Sequence, residues 1–151
     1  MKRTLILVAT LCLLPSLVIA DNGLIKMESP HSATMTIDRL QAALEAKGIQ
    51  VMARVRHQRN AEKVELELRP TELLIFGNPN LGTHMMTAEQ TAGIDLPMKA
   101  LAWEDADGKV WLAYNDPAWI AKRHGIQERG EIVGKMQKAL ETFSKQAVSR
   151  E

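Results

Sequence analysis

The first third of the chain alternates between strand-like and helix-like spacing of its apolar residues. The segment GLIKMES (Gly23–Ser29) alternates polar and apolar residues, as a half-buried strand does. Ser32 is positioned to cap a following helix, and Gly48 supplies the left-handed residue that ends it. Between them the apolar residues recur at helical spacing: Ala33, Ile37, Leu40 and Leu44. A strand followed by a helix is therefore predicted over residues 23–48.

Three further patterns lie in the middle of the chain. The segment IQVMARV (49–55) predicts a strand with its apolar side chains on one face: Ile49, Val51, Ala53 and Val55. The segment AEKVELELRP fits either a strand or a helix, and we favour a helix through about Glu65 with an extended lead to Pro70. The segment ELLIF (Glu72–Phe76) is apolar at consecutive positions, which predicts a central strand covered on both faces.

The last third predicts a hairpin and two helices. MKALAW (98–103) and KVWLAY (109–114) are strand patterns separated by EDADG, with Asp107-Gly108 at the turn. Asp116 is positioned to cap a short helix that Gly125 closes. A longer helix from about Glu131 carries one apolar stripe: Ile132, Val133, Met136, Leu140, Phe143 and Ala147.

Together these elements predict an α+β fold of two layers. A mostly antiparallel sheet is backed by helices, and the C-terminal β-hairpin is followed by helices. Residues 21–151 are predicted to form a single domain, because their number is typical of one domain.

The first twenty residues predict a signal peptide rather than a folded element. Lys2 and Arg3 precede an apolar run (5–14), and cleavage is expected after Ala20. The alternative is an uncleaved membrane anchor, but the apolar run is shorter than the roughly 20 residues that span a bilayer. A periplasmic or secreted location follows, with no membrane contact after cleavage.

Charge and cysteine content exclude several functions. The formal charge of the full chain is +1, and it becomes −1 when the leader's Lys2 and Arg3 are removed. No basic excess remains for a nucleic-acid partner. Cys12 is the single cysteine and lies in the leader, so thiol catalysis, iron–sulfur clusters and cysteine-based zinc sites are excluded for the cleaved form.

The stretch IFGNPNLGTHMM (75–86) resembles a phosphate loop in its glycine spacing only. Gly77 and Gly82 are spaced as in a Walker A loop, but Thr83 and His84 follow where Lys and Ser or Thr are required. Two interpretations remain: a turn that leads into a helix, or free N–H groups at residues 81–83 that bind a small anion. The candidate ligand-binding residues are Gly77, Asn78, Gly82, Thr83, Asn115 and Asp116.

The histidines are candidates for proton transfer near neutral pH. His57 at a strand end, His84 after the glycine turn and His124 at a helix end could converge at one sheet edge, although nothing in their spacing requires it. His57 and His124 are the candidate catalytic residues. A second set offers ligands suited to copper, although a methionine pair more often fills a core: His84, Met85 and Met86. No cofactor is indicated by any motif.

The three tryptophans cluster around the hairpin and the short helix: Trp103, Trp111 and Trp119. They either form one side of the core or line an aromatic ligand site. The core interpretation is favoured.

Three segments taken together resemble the domain of unknown function 302 family: LRPTELLIFGNPNLGTHMM, GIDLPMKALAWEDADGKVWLAYNDP and AKRHGI. The resemblance runs from about Gly23 to Leu140. It implies a compact α+β domain that is often dimeric and has no established catalytic activity. The matching residues are His57, Phe76, Gly77, Asn78, Pro79, Gly82, Leu96, Pro97, Lys99, Trp103, Asn115, Asp116 and His124.

Two positions depart from the family pattern. Family members commonly have Asp where this chain has Arg56, and Gly where it has Glu65. If an Asp–His pair were the family's working part, Arg56 would break it here, because a cation beside His57 disfavours its protonation.

We therefore expect an exported protein that binds a small ligand or a partner at one sheet edge. The first alternative is an enzyme that uses His57 or His124 as acid or base. The second is a structural subunit that forms a homodimer.

Overall fold

A computed structural model describes residues 22–150 and the short strand Val18–Ile19. The rest of the predicted signal peptide lies outside the described residues. Six strands are present: β1 Val18–Ile19, β2 Leu24–Ser29, β3 Gln50–Arg56, β4 Thr71–Gly77, β5 Met98–Glu104 and β6 Val110–Asn115. Five α-helices accompany them: α1 Ala33–Glu45, α2 His57–Glu62, α3 Pro79–Ala88, α4 Pro117–Arg123 and α5 Gly130–Ala147. A 3-10 helix covers Gln90–Ile94.

The strands form one antiparallel sheet in the order β1-β2-β6-β5-β4-β3. The predicted α+β fold is confirmed, and β4 is an interior strand as its apolar run predicts. The β5–β6 hairpin turns where Asp105 accepts hydrogen bonds from the amides of Asp107 and Lys109, both at 2.9 Å. Gly108 has a φ of 75° in this turn, which favours glycine.

Helices α1 and α5 pack against each other and α1 lies on one face of the sheet. The Ser32 hydroxyl accepts a hydrogen bond from the Met35 amide at 3.2 Å, as a helix cap does. The core between the layers contains Ile37, Leu40, Leu44, Leu74, Leu112, Met136 and Leu140. In the part of the chain that the structure describes, none of the helices is long and apolar enough to cross a bilayer.

The face prediction for β3 is wrong at one point. Val51 pairs with Phe76 on the helix-covered face, whereas Ala53 and Val55 pair with Ile75 and Leu73 on the other. The pairing register shifts between Val51 and Ala53. One extra residue in a bulge reverses the alternation of all later side chains.

The helix prediction for residues 61–65 is also displaced. Helix α2 begins at His57 and ends at Glu62, so His57 starts a helix rather than ending a strand. Glu65 lies beyond the helix with a φ of 59°. This left-handed conformation favours glycine, the residue that the family resemblance implies at this position.

We expect Glu65→Gly to raise the free energy of unfolding by about 0.5–1 kcal/mol. A left-handed non-glycine residue costs roughly 1–2 kcal/mol, and the greater unfolded-state entropy of glycine offsets about half of this. Urea denaturation measures the difference. The exposed Glu67 is the control, because its φ is not positive and glycine there should lower stability.

The core interpretation of the tryptophans is wrong for two of the three. Trp103 and Trp111 are paired across β5 and β6 and are half-buried on the sheet face opposite α1. The Trp111 indole nitrogen donates to Asp105 at 2.7 Å. Trp119 instead packs against the core, so the sheet keeps an aromatic pair on its open face.

Candidate functional site

A cavity of about 310 Å³ lies where the end of β4, helix α3, the start of β5 and helix α5 meet. Its apolar lining residues are Leu44, Ile49, Met52, Phe76, Pro79, Leu81, Met86, Leu96, Pro97, Met98, Met136, Ala139, Leu140 and Phe143. Gly77, Gly82, Asn78 and Thr83 complete the lining. The cavity is therefore apolar, with two polar side chains and no charged one.

The glycine stretch forms one wall of this cavity. Asn78 is the N-cap of α3, its side-chain oxygen accepts from the Asn80 amide at 2.9 Å, and Pro79 occupies the first helical turn. Proline suits this position because its φ is fixed and no N–H is needed there. Gly82 consequently lies within the helix rather than in a turn.

The expected free N–H groups at this helix start are not present at two of the three positions. The amides of Leu81 and Gly82 both donate to the Asn78 carbonyl, at 2.9 and 3.0 Å. No cationic side chain lines the cavity. An anionic ligand would need free N–H donors at residues 81–83. At Leu81 and Gly82 these donors are already used within the helix.

Gly77 allows β4 to lie close to Met52 on β3 and to Pro97, which precedes β5. A Cβ at this position would lie 3.3 Å from Cβ of Pro97 and 3.6 Å from Cε of Met52. The Leu96-Pro97 peptide bond is cis. All four glycine-stretch candidates, which are Gly77, Asn78, Gly82 and Thr83, thus line the cavity, and their part in binding stays a prediction.

The remaining two ligand candidates lie elsewhere. Asn115 pairs with Leu24 at the end of β6. The Asp116 carboxylate caps α4 by accepting from the Ala118 amide at 2.9 Å, and it also accepts from the Gln137 side chain at 2.8 Å. Neither lines the cavity, and the Asp116 contacts hold α4 against α5.

His124 lies behind one wall of the cavity rather than in it. Its side chain is 7% exposed, and its Nε2 lies 2.6 Å from Oδ2 of Asp95. Its Nδ1 lies 3.0 Å from the Thr91 hydroxyl, and Arg123 binds the other Asp95 oxygen at 3.1 Å. These contacts tie α4 to the segment that leads into Leu96.

Glu89 completes the polar cluster around His124. Hydrogen bonds from the backbone amide and hydroxyl of Thr91 hold the pKa of Glu89 below its usual value. The carboxylate is therefore ionised over the physiological pH range.

The three histidines do not come together in the structure. His57 follows β3 at the end opposite Gln50, which pairs with Gly77 beside the cavity. Seven strand residues separate the two ends, a distance of about 20 Å. His84 is exposed on α3, and none of the three histidines lines the cavity.

The copper-ligand candidates are also separated by burial. Met85 is completely buried in the core, His84 is exposed, and Met86 lines the cavity. Within residues 22–150 no three His, Cys, Asp or Glu side chains are grouped as a metal site. Met85 therefore serves as core packing.

Sequence reasoning missed half of the cavity wall. Met136, Ala139, Leu140 and Phe143 come from α5, Leu96 and Pro97 precede β5, and Met98 is the first residue of β5. The apolar stripe of α5 was assigned to the core because the same spacing serves a packed core and a cavity wall. No single-sequence pattern distinguishes the two.

The fold and the cavity define a small two-layer α+β domain with a ligand-sized apolar site. The sequence profile of the family described as "Domain of unknown function DUF302" matches residues 25–143. The chain belongs to this family, which confirms the resemblance found in its motifs.

A crystal structure of an uncharacterised conserved DUF302 protein from Bacillus stearothermophilus has the same fold. It superposes with a TM-score of 0.74 at 17% sequence identity and covers 83% of this chain and 98% of that chain. At this identity the similarity supports the fold and not a shared activity.

Two sequence relatives are much longer than the matched region. The chain is 51% identical over 112 residues to the fluoride-specific ion channel FluC 1 of Brucella suis biovar 1 (strain 1330), covering 74% of this chain and 44% of that protein. It is equally identical over 112 residues to the fluoride-specific ion channel FluC 2 of Brucella melitensis biotype 1, covering 42% of it. The chain spans less than half the length of these relatives.

Proposed function

We propose that this protein is a binding module for a small apolar molecule and that the cavity between α3 and α5 is its site. The observation that carries the proposal is a cavity of about 310 Å³ with only two polar side chains among its lining residues. Ligand sites commonly measure about 300–1,000 Å³ and are mainly apolar. Met52 in the lining is 45% exposed, so the cavity opens to solvent and is not a void within the close-packed core.

Four methionines support the same proposal. Met52, Met86, Met98 and Met136 come from four different elements and all line the cavity. Methionine side chains are flexible and polarisable, and they adapt to ligands of different shape. Binding is favoured over acid–base catalysis because neither His57 nor His124 lines the cavity.

Filling the cavity should abolish binding. Ala139 lines it from α5, so we expect Ala139→Phe to occupy the space that a ligand needs. In the wild type, a ligand at ten times its Kd adds about 1.4 kcal/mol of stability, or roughly 3–6 °C in melting temperature. Thermal melting with and without 2-octanone measures the shift.

The control for this prediction is Ala42→Phe, which adds the same ring to an exposed position on α1. This variant should keep the full melting shift, while Ala139→Phe should show none. Equal shifts in the two variants would remove the cavity as the site.

A homodimer is the second candidate, and the open face of the sheet favours it. On this face, cross-strand pairing aligns one row of side chains across five strands: Val55, Leu73, Leu101, Ala113 and Lys26. A second row contains Thr71, Trp103, Trp111 and Glu28. Lys26 and Glu28 lie on β2 at one side of these rows, and the residues on β5 and β6 are apolar. Apolar sheet faces can pack face to face, and tryptophan is enriched at the centres of interfaces.

Light scattering of the full chain tests this second candidate. We expect the mass of two chains for the wild type and of one chain for Leu101→Glu, because a carboxylate in the middle of the row would be buried without a partner. Lys109→Glu, at an exposed hairpin position, is the matched control and should remain dimeric. A wild-type mass of one chain would rule the dimer out.

We further propose that the protein is exported, on the strength of its N-terminal sequence. Cleavage after Ala20 would remove β1 and leave β2 at the edge of the sheet. Mass spectrometry of the protein from the periplasm or culture medium should give a chain that starts at Asp21. An intact Met1 in that material would contradict cleavage.

A further inference from the structure

We propose that the ligand is an uncharged aliphatic molecule with one hydrogen-bond acceptor group. Its chain lies among the methionines, and its acceptor binds the side-chain amide of Asn78 at the cavity wall. This inference rests on the proposed binding function and specifies the chemistry of the ligand.

The absence of charge in the lining indicates a neutral ligand. None of the lining residues is Lys, Arg, His, Asp or Glu. A lysine does lie nearby, but Lys99 donates to the carbonyls of Asp95 and Pro97, both at 3.0 Å. A charged group taken into such a site loses its hydration without gaining a partner.

The side-chain amide nitrogen of Asn78 is a hydrogen-bond donor at the cavity wall. The Asn78 side-chain oxygen is held by the Asn80 amide at 2.9 Å, which fixes the amide orientation with its nitrogen available. Among the described residues, that nitrogen makes no hydrogen bond, and it is accessible to solvent because no buried side-chain nitrogen or oxygen lacks a partner. Thr83 is exposed. The backbone amides of Leu81 and Gly82 are already bonded to the Asn78 carbonyl. A ligand that hydrogen-bonds to the Asn78 nitrogen therefore brings an acceptor, and the Thr83 hydroxyl can donate or accept.

The volume sets the size of the ligand. An apolar cavity of about 150 Å³ holds benzene, and this cavity of about 310 Å³ is twice as large. It therefore has room for about a dozen carbon atoms. An eight-carbon chain with a carbonyl group fits within this limit.

Isothermal titration of the full chain with three probes of equal length tests the proposal at pH 7: 2-octanone, octanoate and octylamine. We expect 2-octanone to bind at least about tenfold more tightly than either ion, because each ion would be desolvated unpaired. Its binding should disappear in Ala139→Phe. This loss would show that the measured heat comes from binding in the cavity.

Asn78→Asp and Asn78→Ser test the donor role of Asn78 separately from its capping role, because both replacements still cap α3. Asp removes the donor, and Ser shortens it. We expect each to weaken 2-octanone binding about 2–10-fold, and Asp to improve octylamine binding. Circular dichroism melting verifies that both variants are folded.

Each outcome has a definite meaning. If octanoate binds the wild type as tightly as 2-octanone does, the neutral-ligand inference is overturned while the proposed function stands. Unchanged 2-octanone affinity in both Asn78 variants overturns the role of the amide. If none of the three probes binds, the proposed function itself fails.

Discussion

Glu72→Ala is expected to lower the free energy of unfolding by about 3–5 kcal/mol, the range for breaking a buried ion pair. Glu72 is 6% exposed. One of its oxygens accepts from the Thr34 hydroxyl at 2.6 Å, and the other accepts from Arg54 Nε at 2.7 Å. Removing the carboxylate leaves Arg54, whose side chain is 17% exposed, with Asp38 as its remaining carboxylate partner.

The double replacement Arg54→Met/Glu72→Leu is the informative comparison. Apolar residues of similar size in place of both partners often keep or raise stability, and the half-exposed Asp38 carboxylate returns to water. In urea denaturation, the double replacement should lower the free energy of unfolding much less than Glu72→Ala does. The exposed Glu62→Ala should change little, and a loss below about 1 kcal/mol for Glu72→Ala would contradict a buried ion pair here.

Gly23→Ala is expected to cost about 3 kcal/mol or more. Gly23 has a φ of 77°, and an added Cβ would lie 2.1 Å from Cγ of Trp119. Left-handed strain contributes roughly 1–2 kcal/mol, and forcing an extra carbon into a packed site adds about 1–3. The Gly23 carbonyl also accepts the Asp116 amide at 2.8 Å, so movement of this turn disturbs the start of α4.

Gly125→Ala separates the two contributions to this loss. Gly125 has a similar φ of 68° but no atom within 4 Å of the added Cβ. In thermal melting, we expect Gly125→Ala to lose only the part of the stability that left-handed strain accounts for. If the two alanine variants melt at the same temperature, contact with Trp119 does not determine the stability at Gly23.

Local signals predicted most of the fold. The Ser32 cap, Gly48, the Asp107-Gly108 turn and the Asp116 cap are short-range features that act within a few residues. Each of them is present in the structure at the predicted position. Such features need no knowledge of distant contacts, and the order of elements follows from them.

The errors arose where distant contacts decide the outcome. The bulge in β3 depends on pairing with β4, and no residue type in IQVMARV marks it. Arg54 lies under α1 because Glu72 and Asp38 are available there. The sequence predicts Trp103 and Trp111 as core residues, whereas α1 covers the opposite face of the sheet.

One wall of the cavity contains four of the predicted ligand-binding residues. Gly77, Asn78, Gly82 and Thr83 share one wall because they are consecutive or nearly so in the chain. The opposite wall on α5 comes from residues more than fifty positions away. The histidines were grouped by their places at element ends, but the two ends of β3 lie about 20 Å apart.

The most direct test of the cavity as a binding site is an NMR titration of the ¹⁵N-labelled full chain with 2-octanone. The amide shifts should change most in the segments 77–86, 96–98 and 136–143, which contain most of the lining residues, and these changes should be absent in Ala139→Phe. Changes centred on Trp103 and Trp111, or no change at millimolar 2-octanone, would contradict the assignment of this cavity as the ligand site.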